Sequence, residues 1–390
     1  MRALLKISGK RKNFISIQNS HTLPCKGYHQ PMVRTGYDTV VAHRVPDLFA
    51  KTAKEPMTVV SLDKYGIILE NDKGESFGYQ IGRRFGNAAG LVIPHSIVTP
   101  LKVGDKVNVG DPIIYNDGFF EPDFFDPKQI CLKMSCVLKT LLFDSIETFE
   151  DANAISPRVT QALSTNVTEV KTVVVSFDQV VHAHVKEGDE VNADTVLCTI
   201  EDATSASSFN YDQKTLDTLR IVGAQTPRAH VKGKVEKIEV FYHGELERMT
   251  VQLKALCEAS DRAMRKRFKS AGMPQFSGSV DSAMRIEGNP LMPEQVAFRF
   301  YITRELGHAV GDKLVLANQM KSVTGEVLEE SLVTEKGEHI DVWFSLRSVY
   351  ARIVNSPQDI GSTNTTLDKI AEAMVSVYEG GPRPTPLVTE

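Results

Sequence analysis

The chain has 390 residues, of which 42% are hydrophobic and 24% are charged, an ordinary composition for a soluble globular protein. Its formal net charge of −4 argues against a stand-alone, strongly basic nucleic-acid binder, but is compatible with a local basic groove. No apolar run approaches the roughly 20 residues that a membrane-spanning helix needs, and the first residues lack the apolar core of a signal peptide. The five cysteines are scattered along the chain, which predicts reduced thiols and a cytoplasmic setting.

Cys131 and Cys136 have a spacing that could form half of a zinc site. A structural zinc site needs four ligands. No second Cys or His pair with suitable spacing follows in the sequence. The sequence therefore disfavours zinc.

Residues 1–56 are predicted to be irregular, and β-branched runs between Met57 and Tyr115 predict strands. The segment 101–114, with a Gly-Asp turn between two short apolar runs, is nearly repeated at 185–197. Such hammerhead patterns are typical of biotinyl and lipoyl carrier domains. A carrier needs a modifiable lysine in a Met-Lys context on an adjacent hairpin, and neither copy is followed by one. The repeat is therefore predicted to be structural.

An acidic pair, Glu150 and Asp151, follows Phe149. Adjacent carboxylates repel each other unless a cation is near, and Mg²⁺ prefers such hard oxygen ligands. The simpler alternative is a solvated acidic turn before a helix N-terminus, which the helix dipole favours. Soon afterwards comes the run Ile-Ser-Pro-Arg, which ends at Arg158.

The second half of the chain alternates strand and helix signals. Residues 245–269 contain no Gly or Pro and predict a helix, whose basic end either meets nucleic acid or complements the helix dipole. Alternating apolar residues in 296–302 predict a half-buried strand. A Gly-Asp turn, Lys313 and Lys321 follow, and on their own these lysines would be interpreted as surface charges. A last helix is predicted at 366–378, and the Pro-rich tail after Gly380 is predicted to be disordered.

Taken in chain order, these motifs resemble the β subunit of multisubunit DNA-directed RNA polymerases. The resemblance runs from about residue 25 to about residue 376 and rests on four features. They are the Gly-Asp-Lys at 311–313 with Lys321 eight residues after Lys313, the aromatic-Glu-Asp unit at 149–151, the Ile-Ser-x-Arg unit at 155–158, and the pair Asp341 and Arg352.

The resemblance implies a mainly β fold, namely a double-psi β-barrel with barrel-sandwich hybrid modules and a few α-helices. The implied domains follow one another along the chain. They are a fork-side lead-in (1–56), a barrel-sandwich module (57–120), the first part of the barrel (121–164), a wall or flap-like insertion (165–295), the second part of the barrel (296–360), and a C-terminal helix with a disordered tail (361–390).

The resemblance also implies the roles of individual residues. Lys313, Lys321, Glu150 and Asp151 are expected at the catalytic centre. Lysine ammonium groups suit phosphate oxygens, and the acidic pair is expected near Mg²⁺ without forming its main cage. The expected nucleotide and RNA contacts are Arg352, Arg84, Arg158, Asn318 and Gln319, with Arg83 as an alternative to Arg84.

The large N-terminal lobes and the C-terminal clamp segment of a full β subunit have no counterpart here, so the chain resembles a split β subunit. Split chains of this kind occur in very large bacteriophages, which implies the cytoplasm of an infected bacterial host or, alternatively, the virion or a phage compartment. The implied partners are β′-type subunits, other β fragments, template DNA, RNA and nucleoside triphosphates, with no membrane. Because the family's metal-binding carboxylates lie on β′, the isolated chain is expected to be inactive. The alternative is a non-catalytic nucleic-acid-binding or transcription-regulatory protein that retains the barrel.

Overall fold

The computed structural model describes residues 22–30, 36–88, 91–124, 126–133, 136–149, 151–202, 224–274, 276–281, 283–316, 320–335, 337–351 and 356–381. Its strands are β1 (Ala50–Thr52), β2 (Met57–Leu62), β3 (Gly66–Asn71), β4 (Ser76–Gln80), β5 (Gly82–Ala88), β6 (Leu91–Val98), β7 (Lys106–Val107), β8 (Pro112–Asn116), β9 (Phe120–Pro122), β10 (Ile130–Leu132), β11 (Thr140–Leu142), β12 (Ala152–Ile155), β13 (Thr165–Ser176), β14 (Gln179–Ala183), β15 (Glu190–Val191), β16 (Cys198–Asp202), β17 (Gly233–His243), β18 (Arg285–Ile286), β19 (Asn289–Pro290), β20 (Gln295–Leu306), β21 (Lys313–Leu316), β22 (Met320–Val327) and β23 (Val342–Phe344). Its α-helices are α1 (Tyr37–Val40), α2 (Pro157–Ala162), α3 (Val251–Ser270), α4 (Leu346–Tyr350) and α5 (Ser356–Tyr378), and short 3-10 turns span Val41–His43, Ile146–Thr148 and Leu246–Arg248. The prediction of a mainly β chain is confirmed.

The chain forms two compact units, each built from separate stretches of sequence. One unit, here the lysine unit, comprises Met1–Val41, Glu121–Thr165 and Gly307–Glu390. The other, here the repeat unit, comprises Ala42–Phe120 and Asn166–Leu306. Among the described helices, none is long and apolar enough to cross a membrane.

The repeat unit contains a large sheet with the strand order β1-β8-β6-β13-β20-β17-β15, with β5 paired to β6. Its long antiparallel pair, β17 and β20, buries alternate apolar residues of β20, including Val296, Phe298 and Phe300. The strand predicted for 296–302 is therefore confirmed, but it is not half-buried, because Ala297 and Tyr301 on its other face are buried as well. The second part of the barrel was predicted to begin at residue 296, with this strand. Instead, β20 belongs to the sheet of the repeat unit, and the lysine unit continues only from Gly307.

The near-repeat in the sequence folds into the same turn twice. Gly104 and Gly188 both have positive φ angles, of 89° and 103°. The following aspartates cap both turns, because Asp105 accepts a hydrogen bond from the Lys102 amide at 2.7 Å and Asp189 accepts one from the Lys186 amide at 2.8 Å. Each glycine amide also donates to a neighbouring strand, Gly104 to Val59 and Gly188 to Val235. The repeat thus serves to connect strands, as predicted.

Helix α3 confirms the predicted helix, although it begins at Val251 rather than near residue 245. Its buried residues include Leu253 and Cys257. Its C-terminal end packs against the β3–β4 hairpin, where a Cβ on Gly78 would lie 1.8 Å from the Ala271 carbonyl oxygen. Glycine at this position permits the close approach.

The lysine unit contains a five-stranded mixed sheet with the order β11-β23-β12-β22-β21. Two of its pairs are parallel, β11 with β23 and β12 with β22. The strands come from two stretches far apart in sequence, 140–155 and 313–344, and those stretches interleave across the sheet. Ile155, Leu316, Met320 and Phe344 bury their side chains in a core on one side of it.

The last helix, α5, is longer than predicted. It begins at Ser356 rather than near residue 366, and it ends at Tyr378 as expected. The Pro-rich tail that was predicted to be disordered falls mostly outside the described residues.

Candidate functional site: a lysine face beside Asp151

Lys313 and Lys321 lie on one face of the β21–β22 hairpin. The antiparallel register pairs Lys313 with Val323 and Val315 with Lys321. Because side chains alternate between the two faces of a sheet, Lys313, Val315, Lys321 and Val323 share one face. Val315 and Val323 are exposed, whereas Leu316 and Met320 are buried on the other face. We call this outer surface the lysine face.

Asp151 lies at the edge of the lysine face, immediately before β12. Its carbonyl accepts a hydrogen bond from the Val323 amide at 2.9 Å, and its own amide donates to Ser348 Oγ at 3.3 Å. Its φ of 60° is left-handed, a conformation that Asp tolerates better than most residues. The Asp151 side chain is exposed. These two backbone hydrogen bonds fix where the Asp151 side chain leaves the main chain.

The strand registers place the start of β12, next to Asp151, level with Lys313 across the sheet. Ala152 of β12 pairs with Val323, and Val323 pairs with Lys313 on its other side. With strands about 4.8 Å apart, the Cα atoms of Ala152 and Lys313 are roughly 10 Å apart. The backbone of Asp151, which directly precedes Ala152, therefore lies close to the hairpin that carries the two lysines.

Beneath the lysine face runs a buried chain of hydrogen bonds. His308 Nε2 lies 2.8 Å from Thr324 Oγ1, which donates to Asn153 Oδ1 at 3.0 Å. Asn153 Nδ2 donates to Ser322 Oγ at 2.7 Å, and Ser322 Oγ donates to the Leu314 carbonyl at 3.3 Å. Because Thr324 uses its hydrogen on Asn153, it accepts from His308, which requires the Nε2–H tautomer.

This buried chain ties three strands together under the two lysines. Asn153 is on β12, Ser322 and Thr324 are on β22, and the Leu314 carbonyl is on β21. All three polar side chains are at most 1% exposed. Burial lowers the pKa of His308, and Asp312 opposes this weakly, so a neutral imidazole is favoured. Since each polar group depends on its neighbours, a slip in strand register would leave several of them unsatisfied.

A second contact fixes helix α4 near Asp151. The Asp144 carboxylate accepts hydrogen bonds from Ser345 Oγ at 2.8 Å and from the Arg347 amide at 3.2 Å. Ser345 caps the helix by accepting from the Ser348 amide. The same helix supplies the Ser348 hydroxyl that meets Asp151. Asp144 thereby acts on the site through the backbone of α4.

Two of the predicted arginines, Arg158 and Arg84, are on elements other than the β21–β22 hairpin. Arg158, near the start of α2, lies beyond the opposite end of β12 from Asp151. Its nearest carboxylate is Asp341, at 3.9 Å, and its side chain is 61% exposed. Arg84 is on β5 of the repeat unit, paired with His95, and its alternative Arg83 is bound to Glu236 at 2.9 Å. The structure therefore brings Lys313, Lys321 and Asp151 together, and does not bring Arg158 to them.

Four predicted site residues lie outside the described residues: Glu150, Asn318, Gln319 and Arg352. Ala351 is the nearest described position to Arg352, and Leu316 and Met320 border the gap that holds the Asn-Gln pair. The expected roles of the four residues stay predictions.

The lysine face suits anionic oxygen ligands, since ammonium groups are compact, strongly hydrated charges that bind phosphate as point charges. A metal would need other ligands. Within the described part of the chain, no group of three or more His, Cys, Asp or Glu side chains could hold an ion. Of the acidic pair expected near Mg²⁺, only Asp151 is described. Its expected place near Mg²⁺, outside the main cage, stays a prediction.

Sequence reasoning missed the buried chain of His308, Asn153, Ser322 and Thr324. A signal was present, because Ser322 and Thr324 alternate with Lys321 and Val323. Strand periodicity then places two hydroxyls on the face opposite Lys321. The sequence could not show that Asn153, about 170 residues away in the chain, forms hydrogen bonds with both hydroxyl groups.

Comparison with known proteins assigns no family to the chain. No protein-family model matches the sequence, and no curated protein matches it either. The functional proposal therefore rests on the resemblance in sequence and on the geometry of the lysine face.

Proposed function

We propose that the chain is a split β-type subunit of a multisubunit DNA-directed RNA polymerase, of the kind found in very large bacteriophages. In this proposal the chain contributes contacts to the nucleotide phosphates and the RNA 3′ end, and a β′-type subunit carries the catalytic metal. The observation that supports it most is the register that places Lys313 and Lys321 on one face with Asp151 at its edge.

The sheet of the lysine unit supports the proposal in a second way. Its order β11-β23-β12-β22-β21 alternates strands from the two stretches, and it includes two parallel pairs. We interpret it as the main part of the proposed double-psi barrel, with the residues between Asn166 and Leu306 inserted into it. In this interpretation the second part of the barrel begins at Gly307, after β20, and the two Gly-Asp turns belong to barrel-sandwich modules.

The chemistry explains why two lysines would be placed here. In nucleotide addition, the 3′ oxygen of RNA attacks the α-phosphorus, a new O–P bond forms, and pyrophosphate leaves as the bond to the β-phosphate breaks. Negative charge on the phosphate oxygens must be neutralised, and fixed ammonium groups do this without reorganising during the step. Mg²⁺, held mainly by the partner chain, would supply further neutralisation of that charge.

The proposal is tested by purifying the tagged chain together with the proteins that bind it in infected cells. Mass spectrometry should identify a β′-type chain among them, and the complex should synthesise RNA on a DNA template. The same complex assembled with Lys313→Ala/Lys321→Ala should retain its chains and lose most of that synthesis. The purified chain alone should make no RNA.

Two results would contradict the proposal. One is RNA synthesis by the purified chain alone. The other is a complex that binds DNA or RNA and makes no transcript, which would favour the alternative of a non-catalytic nucleic-acid-binding or regulatory protein.

A further inference from the structure

His95, on β6 of the repeat unit, is a buried histidine that uses only one of its two ring nitrogens. Its side chain is 3% exposed, and its Nδ1 accepts a hydrogen bond from Asn116 Nδ2 at 2.9 Å. The Asn116 amide is oriented by the Gly118 amide, which donates to Asn116 Oδ1 at 3.1 Å. Because Nδ1 accepts, the ring proton is on Nε2. Among the residues that the structure describes, this Nε2–H group has no hydrogen-bond partner.

The surroundings of the ring keep that donor in place and neutral. Phe119 stacks on the imidazole with the ring centroids 6.2 Å apart, and Phe49 meets it edge-on at 6.1 Å. Burial and the Arg84 guanidinium both lower the pKa of His95, so the neutral ring is favoured at neutral pH. A buried donor without a partner costs about 1–3 kcal/mol. His95 therefore presents a fixed Nε2–H group whose acceptor has to come from outside the described chain.

The space beside Nε2 is open because residue 86, on the neighbouring strand β5, is glycine. A Cβ at Gly86 would lie 3.0 Å from His95 Nε2, and the next side chain, at Leu48 Cδ2, would be 3.8 Å away from it. A separation of about 3.0 Å is where the acceptor of an N–H hydrogen bond lies. The position that a side chain at residue 86 would occupy is thus one that suits an oxygen atom of a ligand.

Arg84 supplies a positive charge next to this position. It lies directly opposite His95 in the antiparallel pair of β5 and β6, so the two side chains leave on the same face with their Cβ atoms about 4.5–5.5 Å apart. Arg83, on the other face of β5, is bound to Glu236 at 2.9 Å. Arg84, in contrast, has no ion pair or hydrogen bond with any described residue. Its charge is therefore available to a ligand.

We propose that His95 and Arg84 form a binding site for an oxyanion, that is, a phosphate or carboxylate group. One oxygen accepts from His95 Nε2–H beside Gly86, and the guanidinium of Arg84 donates to the other oxygens, a pairing that its planar fork suits. Both groups are donors, so the site favours anions over cations. This inference does not depend on the polymerase proposal, because it concerns the isolated chain and any group with this chemistry.

The test is a titration of the full-length chain, labelled with ¹⁵N at its histidines, with inorganic phosphate and separately with acetate. Chloride keeps the ionic strength constant. The side-chain signals of His95, assigned by their absence in His95→Gln, should show a proton on Nε2, and the Nε2–H signal should shift and saturate with at least one anion. Tighter binding of phosphate would assign the site to phosphate groups, and tighter binding of acetate would assign it to carboxylates.

Two neighbouring arginines give a matched pair of variants. Arg84→Gln should weaken anion binding roughly 10- to 100-fold, and Arg84→Lys, which keeps the charge without the fork, should weaken it less. Arg83→Gln removes the same charge from the other face of the strand and should bind like the unmodified chain. The signals of the other histidines show whether each variant keeps its fold. The absence of a saturable shift with either anion would overturn the proposal, and so would equal binding by Arg84→Gln and Arg83→Gln.

Discussion

Lys313 and Lys321 are diagonal neighbours on the β21–β22 hairpin, because Lys313 pairs with Val323 and Lys321 is two residues before it. Diagonal neighbours across an antiparallel pair are roughly 7–8 Å apart. This separation is between the backbone positions of the two lysines, and their flexible side chains leave on the same face of the hairpin. That arrangement is the basis of the proposed contacts with phosphate.

The first prediction concerns these two lysines in the polymerase that we propose. Lys313→Ala and Lys321→Ala should each remove a charge-assisted contact worth about 2–4 kcal/mol, or roughly 30- to 1,000-fold in the rate of nucleotide addition. Single-turnover extension of a primed RNA measures this rate. Lys106→Ala, a lysine on an exposed position of the repeat unit, is the control and should change little. Unchanged extension by both site variants would remove the lysines from the mechanism.

The second prediction concerns the acidic pair. Glu150→Gln/Asp151→Asn should raise the Mg²⁺ concentration needed for half-maximal synthesis and should leave subunit assembly intact. Asn tolerates the left-handed backbone at residue 151, so the change removes charge without straining the turn. Asp117→Asn, at an exposed aspartate of the repeat unit, should leave the titration unchanged. If the Mg²⁺ titration of the double variant matches that of the unmodified enzyme, the pair is a solvated acidic turn.

The third prediction concerns the buried chain under the lysine face. Thr324→Val keeps the side-chain shape and leaves the Asn153 Oδ1 and His308 Nε2 groups without their partner. Each of the two unsatisfied buried groups costs about 1–3 kcal/mol, so the free energy of unfolding should fall by about 2–6 kcal/mol. Urea unfolding of the full chain measures the loss. Thr140→Val, at an exposed threonine, should change the free energy by less than about 0.5 kcal/mol.

The fourth prediction concerns pH. Burial lowers the pKa of His308 below its ordinary value of 6.5. The unfolded chain therefore binds a proton at a higher pH than the folded chain does, and stability falls as the pH is lowered through about 6.5. His308→Gln should lessen this loss relative to the unmodified chain when unfolding is compared at neutral and mildly acidic pH. His182→Gln, at an exposed strand position, should leave the slope unaltered; an equal slope for the His308 variant would show that another group is responsible.

The sequence predicts the elements that depend on neighbouring residues, and it does not predict the pairings between residues far apart in the chain. The Gly-Asp turns, helix α3 and the strand at 296–302 follow from local patterns, and the structure has them. The pairing of β20 with β17 depends on residues about 60 positions apart, and the sequence alone did not place β20 outside the lysine unit. Likewise, the parallel pairing of β12 with β22 places Asp151, rather than Arg158, at the end of β12 beside Val323. No local sequence pattern encodes that pairing.

The last prediction uses two glycines in opposite settings. Gly188 has a φ of 103° and Gly361 lies within helix α5, and a Cβ would meet nothing within 4 Å at either position. Steric clash is therefore absent from both substitutions, and only backbone conformation differs. Gly188→Ala forces a side chain into a region that L-residues avoid, and should lower the free energy of unfolding by about 1–3 kcal/mol. Gly361→Ala replaces the weaker helix former with the strongest one and should raise helix stability by about 0.5–1 kcal/mol. Thermal unfolding followed by circular dichroism measures both changes, and the two shifts should have opposite signs. An unchanged or raised stability of Gly188→Ala would mean that the turn relaxes to accept a side chain. A lowered stability of Gly361→Ala would mean that helix propensity at residue 361 does not determine the stability of α5.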